Sequence, residues 1–274
     1  MKKEEFLDKL TIELKISKNS EYTLRNYLEA NQNLLDFLKK DPDQIIVDDV
    51  KKYMAEKLGE LSSSTTLLFL SAIRYAFTTI FGKDITTNIK RPSKDQKIPA
   101  VLTKKEVDKL IDAISTKKSK LMIHLIYACG FRVSELTNLK IVDLNFEEMI
   151  GYVRKAKGKK DRAFNLPKLL LTQIKKQVEK QKELNQEYLF SGPMGKLSER
   201  NIQKIVRNAA KKAGIHKNVH THTLRHSFAT HLLENGIDIR YIQKALGHSK
   251  LATTEIYAHV STEQLKKIPS PADF

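Results

Sequence analysis

Residues 220–236 read HTHTLRHSFATHLLENG. Leu224, Phe228 and Leu232 recur every four residues, the spacing of one face of an α-helix. Thr221 or Thr223 can cap the start of that helix, and Gly236 can close its end. His222 and Arg225 are three apart, so they share a face near the N-terminus, where free N–H groups and the helix dipole favour an anion. A phosphate suits that face. His222 and His226, four apart, also have the spacing of a metal-binding pair. The helical HExxH zinc pattern requires a Glu that this helix lacks, and no carboxylate or thiol completes the set, so no metal is expected.

Downstream, residues 237–260 read IDIRYIQKALGHSKLATTEIYAHV. Ile239, Ile242 and Leu246 build a helix, Gly247 breaks it, and His248 falls in the turn before a short Thr-capped segment bearing Tyr257. Taken singly, His248 reads as a turn residue and Tyr257 as a packing residue. Upstream, YACGFRVSELTNLK (127–140) places Arg132 just after Gly130, with Glu135 three residues later where it can hold the guanidinium. On spacing alone that couple reads as a solvated surface ion pair. The single cysteine, Cys129, sits in the apolar run LMIHLIYACG, which excludes an intramolecular disulfide and predicts a buried structural thiol.

The 274 residues suffice for two ordinary domains, and 41% hydrophobic content gives each a core. Lys and Arg number 49 against 32 for Asp and Glu, a net charge of +17 that calls for a polyanionic partner, nucleic acid before an acidic membrane surface. The charge is unevenly spread. Residues 1–87 hold 13 basic and 14 acidic side chains, whereas residues 88–274 hold 36 and 18, so the second part must grip the polyanion. The opening MKKEEFLDKL does not read as a leader, and no apolar run approaches the roughly 20 residues that span a bilayer, so a cytoplasmic protein without a membrane partner is expected.

Residues 1–87 read as four amphipathic helices. Phe6, Leu7, Leu10 and Leu14 mark the first, and Tyr27, Leu28, Leu34, Leu35 and Leu38 the second. Asp48 or Asp49 can cap a third helix carrying Val50, Tyr53, Met54 and Leu58. Ser62 to Ser64 can cap a fourth, with Leu67, Leu70, Ile73, Phe77 and Ile80, which Gly82 stops. Residues 88–100, with two prolines and five charges, read as a linker. The second domain, 101–274, opens on a capping box of Thr103 and Glu106, continues with an apolar helix from Lys120 to Cys129 that Gly130 ends, and then changes period. Ile150, Tyr152 and Val153 before KGKKD, with Ala163, Phe164 and Leu166 after it, predict a β-hairpin; the remainder returns to helices through Lys267.

Five segments, GFRVSEL (130–136), KGKKDR (157–162), HTLRHSFATHLL (222–233), LGHS (246–249) and Tyr257, stand in an order and at spacings that resemble the tyrosine recombinases, and within them the Xer group that resolves chromosome dimers. The resemblance covers essentially the whole chain. It implies a mainly α fold with a small antiparallel β-sheet, in which an N-terminal helical core-binding domain and a catalytic domain clamp DNA. It also implies the roles. Arg132 and Arg225 would clamp the phosphate, His248 would add a contact to it, His222 would assist proton movement, Lys157 would protonate the leaving 5′-oxygen, and Tyr257 would be the nucleophile forming a 3′-phosphotyrosyl link. The family usually shows Gly where this chain has Ala156, and the gap from Arg132 is one residue longer than in typical bacterial members, so Lys155, Lys159 and Lys160 stay open as the acid. No cofactor is implied. The implied partners are double-stranded DNA at a specific recombination site and further copies of the chain, as a homotetramer on two duplexes. Relaxation of one duplex by a type IB topoisomerase and a catalytically silent DNA-binding protein are the rival readings.

Overall fold

The computed structural model describes residues 1–59, 61–93, 99–154, 161–192, 195–248 and 251–255. The chain divides into two compact units, Met1–Lys97 and Ile98–Phe274.

In the first unit, α1 (Lys3–Ile16), α2 (Glu21–Leu38), α3 (Val47–Tyr53, running into a π-helical turn, Met54–Leu58) and α4 (Ser63–Phe81) enclose one core. Phe6, Leu10 and Leu14 of α1 meet Leu34 and Leu35 of α2 and Phe69, Leu70, Ile73 and Phe77 of α4, all removed from water. The rings of Phe6 and Phe77 lie 5.2 Å apart, and those of Tyr53 and Phe69 stack at 5.0 Å. Ser62 caps α4 by accepting from Thr65 N, and Gly82 ends it in the left-handed region at φ +65°. Capping of α3 differs from the sequence expectation: Ile46 is the N-cap, and Asp49, three residues on, reaches back to accept from Ile46 N. One helix qualifies the expected lack of a long apolar run. α4 has 19 residues and a mean hydropathy of 1.2, enough by length and composition to cross a bilayer. Its Phe69, Leu70, Ile73, Ala76 and Phe77 are buried in the core just described, whereas Leu68 is exposed.

The second unit opens with α5 (Lys104–Asp112), whose Thr103–Glu106 capping box forms as expected. Next comes α6 (Lys117–Cys129), one turn earlier than its apolar residues suggest, because Thr116 accepts from Ser119 N and so draws the polar KKSK into the first turn. After α7 (Val133–Asn138), strands β1 (Leu144–Asn145), β2 (Ile150–Val153) and β3 (Arg162–Asn165) form an antiparallel sheet in that order, with Ile150 opposite Asn165 and Val153 opposite Arg162. The hairpin is therefore present, although residues 155–160 lie outside the described residues. α8 (Leu171–Glu183) is followed by a strand pair that the pattern did not reveal, β4 (Ser191–Gly192) and β5 (Gly195–Lys196), since two-residue strands are too short to show alternation. Helices α9 (Glu199–Lys212), α10 (Thr221–Glu234), α11 (Ile239–Leu246) and α12 (Ala252–Glu255) complete the described elements. The expected helical continuation to Lys267 lies outside them.

α10 crosses α6 where Gly130 ends that helix at φ +59°, and a Cβ on Gly130 would stand 2.5 Å from Phe228 Cδ1. Only glycine allows both the left-handed turn and so close an approach. The consequence is functional: the ends of α6 and α11 and the start of α10 converge on one point.

Candidate active site

α10 begins at Thr221 with His220 as its N-cap. Thr223 serves the cap from inside the helix by accepting from His220 N at 3.2 Å, so the side-chain partner is Thr223, while Thr221 is the first helical residue. One turn on, Leu224 packs into the core and Arg225 lies beside it, 3% exposed. A buried guanidinium needs acceptors, and two helix C-termini supply carbonyls that lack helical partners. Arg225 donates through Nη1 to Gly130 O at the end of α6 and through Nη2 to Leu246 O at the end of α11, both at 2.5 Å. The negative ends of both helix dipoles thus face one cation.

Glu135 organises the rest. Arg132 is the N-cap of α7, and its backbone N–H donates to Glu135 Oε2 at 2.9 Å while its Nη1 donates to Oε1 at 2.7 Å. The surface ion pair expected from spacing is in fact sunk, with Glu135 only 5% exposed. The reason is a second guanidinium: Arg162, the first residue of β3, donates from Nη2 to Glu135 Oε2 at 2.7 Å. Arg225 Nη1 stands 3.6 Å from the same oxygen. Burial alone would raise the Glu135 pKa, but the hydrogen bond and charge of Arg162, followed by the Arg132 N–H and Arg225, hold it below the ordinary carboxylate value. Among the described residues, three guanidiniums around one carboxylate leave two positive charges in excess. Such an excess, largely withdrawn from water, is costly until an anion joins it.

His248 completes the described cluster. Gly247 ends α11 at φ +64°, and the turn delivers His248 Nε2 to 3.2 Å from Arg225 Nη2 and Nδ1 to 3.0 Å from the buried Thr254 Oγ1 of α12. Gln243 ties the turn down, accepting from His248 N and donating to His248 O. Burial first, and then Arg225 and Arg132, push the His248 pKa down to about 4, so its ring is neutral at pH 7. His222 sits on the exposed side of α10, its pKa lowered by partial desolvation and by Arg225. His226 is half-buried beneath it, 6.4 Å ring to ring, and burial together with His222 and Arg225 pushes it down to about 4. Among the described residues no group of three His, Cys, Asp or Glu could hold a metal ion. Cys129 is buried as expected, its thiol pushed up to about 12.

The structure thus brings Arg132, Arg225 and His248 together, with His222 on the neighbouring helix face. Lys157 and Tyr257 lie outside the described residues; Tyr257 follows Thr254, the partner of His248, by three positions. Sequence reasoning assigned Arg162 no role. Alternation was the available signal, because Arg162 shares the inward face of β3 with Phe164 while Ala163 and Asn165 point out.

Comparison with known proteins accords with this geometry. The Phage integrase family matches residues 100–264, and the Phage integrase N-terminal SAM-like domain matches residues 6–87. Tyrosine recombinase XerA of Pyrococcus horikoshii is 43% identical over 183 residues, covering 65% of this chain and 63% of that protein. Tyrosine recombinase XerD of Oceanobacillus iheyensis is 35% identical over 287 residues, covering 96% of this chain and 95% of that protein. A crystal structure of the XerH site-specific recombinase bound to a palindromic difH substrate, a post-cleavage complex, shares 25% identity with a TM-score of 0.76, covering 92% of this chain and 80% of that one. Similarity that runs almost end to end with a recombinase of this kind leaves one assignment: the chain belongs to the phage integrase family, among its Xer-type tyrosine recombinases.

Proposed function

We propose that this chain cuts and rejoins DNA at a specific recombination site, with Tyr257 as nucleophile, and that its cellular task is to resolve chromosome dimers in the cytoplasm. The observation that carries the reading is the buried cluster in which Glu135 holds Arg132, Arg162 and Arg225 and leaves an excess of positive charge beside His248.

The chemistry follows from where charge develops. Attack of the Tyr257 hydroxyl on a phosphodiester forms a Tyr257 O–P bond and breaks the bond from phosphorus to the 5′-oxygen, with negative charge gathering on the non-bridging oxygens. Arg132 and Arg225 answer that charge, and in a site withdrawn from water such contacts gain strength. His248, neutral at pH 7, accepts from Arg225 through Nε2 and so steadies that guanidinium at the phosphate without adding a charge. His222, with its lowered pKa, takes the tyrosine proton, and Lys157 gives one to the departing 5′-hydroxyl. A 5′-hydroxyl from a partner duplex reverses the steps and conserves the bond energy. Residues 1–87 serve as the helical core-binding domain, residues 88–100 as the linker and residues 101–274 as the catalytic domain. Both domains bind the duplex, and four copies act on two duplexes.

The test is a covalent adduct. Full-length protein incubated with a nicked candidate site should yield a denaturation-resistant protein–DNA species, and Tyr257→Phe should bind DNA and fold normally while forming none. Wild-type adduct yield from the Phe variant would overturn the assignment of the nucleophile.

A further inference from the structure

We infer that Arg162 is a positioning residue for cleavage: one terminal nitrogen fixes the Glu135 carboxylate between Arg132 and Arg225, and the other fixes the end of the helix that presents His248. This deepens the recombinase reading and rests on it.

The side chain is built into the protein. It is 6% exposed, its guanidinium lies 5.5 Å from the centre of the Phe131 ring, and its Cδ would be 2.9 Å from a Cβ at Gly247. Nη2 donates to Glu135 Oε2 at 2.7 Å and Nη1 donates to Ala245 O at 2.5 Å. Nε is buried without a partner among the described residues. Leaving a donor unmet is costly, so the placement serves the two terminal nitrogens. Those two contacts span separate elements, α7 and the end of α11, and meet the two atoms that orient the reacting cluster. Arg225 grips the adjacent carbonyl, Leu246 O, so two guanidiniums hold the last turn of α11 before Gly247 turns the chain toward His248.

Charge adds a second duty. Without Arg162, the single negative charge of Glu135 would offset half of what Arg132 and Arg225 bring to a phosphate. With Arg162 that charge is already matched, and Glu135 can hold both arginines without weakening their joint field. A lysine cannot replace it, because one ammonium does not reach two acceptors in the fixed fork of a guanidinium.

The experiment compares wild type, Arg162→Lys and Arg162→Gln as full-length proteins on a nicked candidate duplex. Thermal midpoint, DNA affinity and the single-turnover rate of adduct formation at saturating protein are measured for each. Arg162→Lys should bind within about threefold of wild type yet cleave up to about 100-fold more slowly, the scale of a misplaced reacting group. Arg162→Gln should in addition move the acid limb of the rate to higher pH, because Glu135 and His248 protonate more readily once a neighbouring cation is gone. A wild-type cleavage rate in Arg162→Lys overturns the inference. So does a loss of affinity in proportion to the loss of rate, or failure of both variants to fold at the assay temperature, either of which makes Arg162 a purely structural residue. Absence of an adduct from wild type would instead sink the recombinase reading, and the inference with it.

Discussion

Glu135 Oε2 stands 3.6 Å from Arg225 Nη1, with both side chains only 3% exposed. Among the described residues this one carboxylate pairs with Arg132, Arg162 and Arg225, so its loss takes a shared counter-charge from buried cations. Removing one partner of a buried pair costs roughly 3–5 kcal/mol. Glu135→Gln keeps the shape and one acceptor, so a loss near the lower end, about 3 kcal/mol, is expected. Urea unfolding should show it as a lower midpoint with an unchanged slope. An unmoved midpoint would show that the cluster is balanced elsewhere.

Two half-buried imidazoles make stability pH-dependent. His226 and His248 fall from the ordinary 6.5 to about 4 in the folded chain. Between those values the unfolded chain binds protons that the native one refuses, so stability is fully present above about pH 6.5 and declines as pH falls toward 4. Glu135, with its pKa depressed, extends the loss below the ordinary carboxylate value. Thermal midpoints should be level from pH 7.5 to about pH 6.5 and then fall toward pH 4, and His226→Gln should make that fall shallower. A wild-type midpoint constant from pH 6.5 to pH 4.5 contradicts the burial of both rings.

Gly130 joins fold to site. Its carbonyl accepts from Arg225, its φ is +59°, and a Cβ there would strike Phe228 at 2.5 Å. Gly130→Ala should therefore cost about 2 kcal/mol or more, from backbone strain plus displacement of a core ring. Gly82→Ala is the control, because it has the same left-handed backbone with open space around it, and should cost only about 1 kcal/mol. Equal losses in the two variants would refute the steric part of the argument.

Legibility in the sequence followed the length of each signal. Apolar stripes such as Phe6, Leu10 and Leu14 repeat over several turns and fix their helices, and Gly82, Gly130 and Gly247 mark helix ends where the backbone is left-handed. Spacing showed that Arg132 and Glu135 could meet, but not that they are buried, because burial depends on Arg162 arriving from a strand 27 positions away. Likewise the acceptors of Arg225 are backbone carbonyls of Gly130 and Leu246, which leave no trace in side-chain pattern. The lesson is physical: local periodicity encodes elements, whereas the partners of a buried charge are settled by tertiary contact.

The remaining question of the site is which lysine supplies the leaving-group proton. Pairing of Val153 with Arg162 fixes the base of the hairpin, and Arg154 braces it by donating to Asp143 at 3.2 Å and to Asp161 at 3.1 Å. Lys155, Lys157, Lys159 and Lys160 all fall between these anchors in sequence. An ammonium near several guanidiniums releases its proton more readily than one in water, so proximity to Arg132 and Arg225 selects the acid. Each lysine should be replaced singly by Ala and tested on a normal substrate and on one whose leaving group is a 5′-thiolate, which departs without a proton. Lys157→Ala should cleave the normal substrate about 10²–10⁴-fold more slowly, the usual contribution of a general acid, and recover on the thiolate substrate. The other three variants should lose less and gain nothing from the change of leaving group. Recovery confined to Lys155, Lys159 or Lys160 would move the acid to that residue, and recovery in none would mean that a group other than a hairpin lysine delivers the proton.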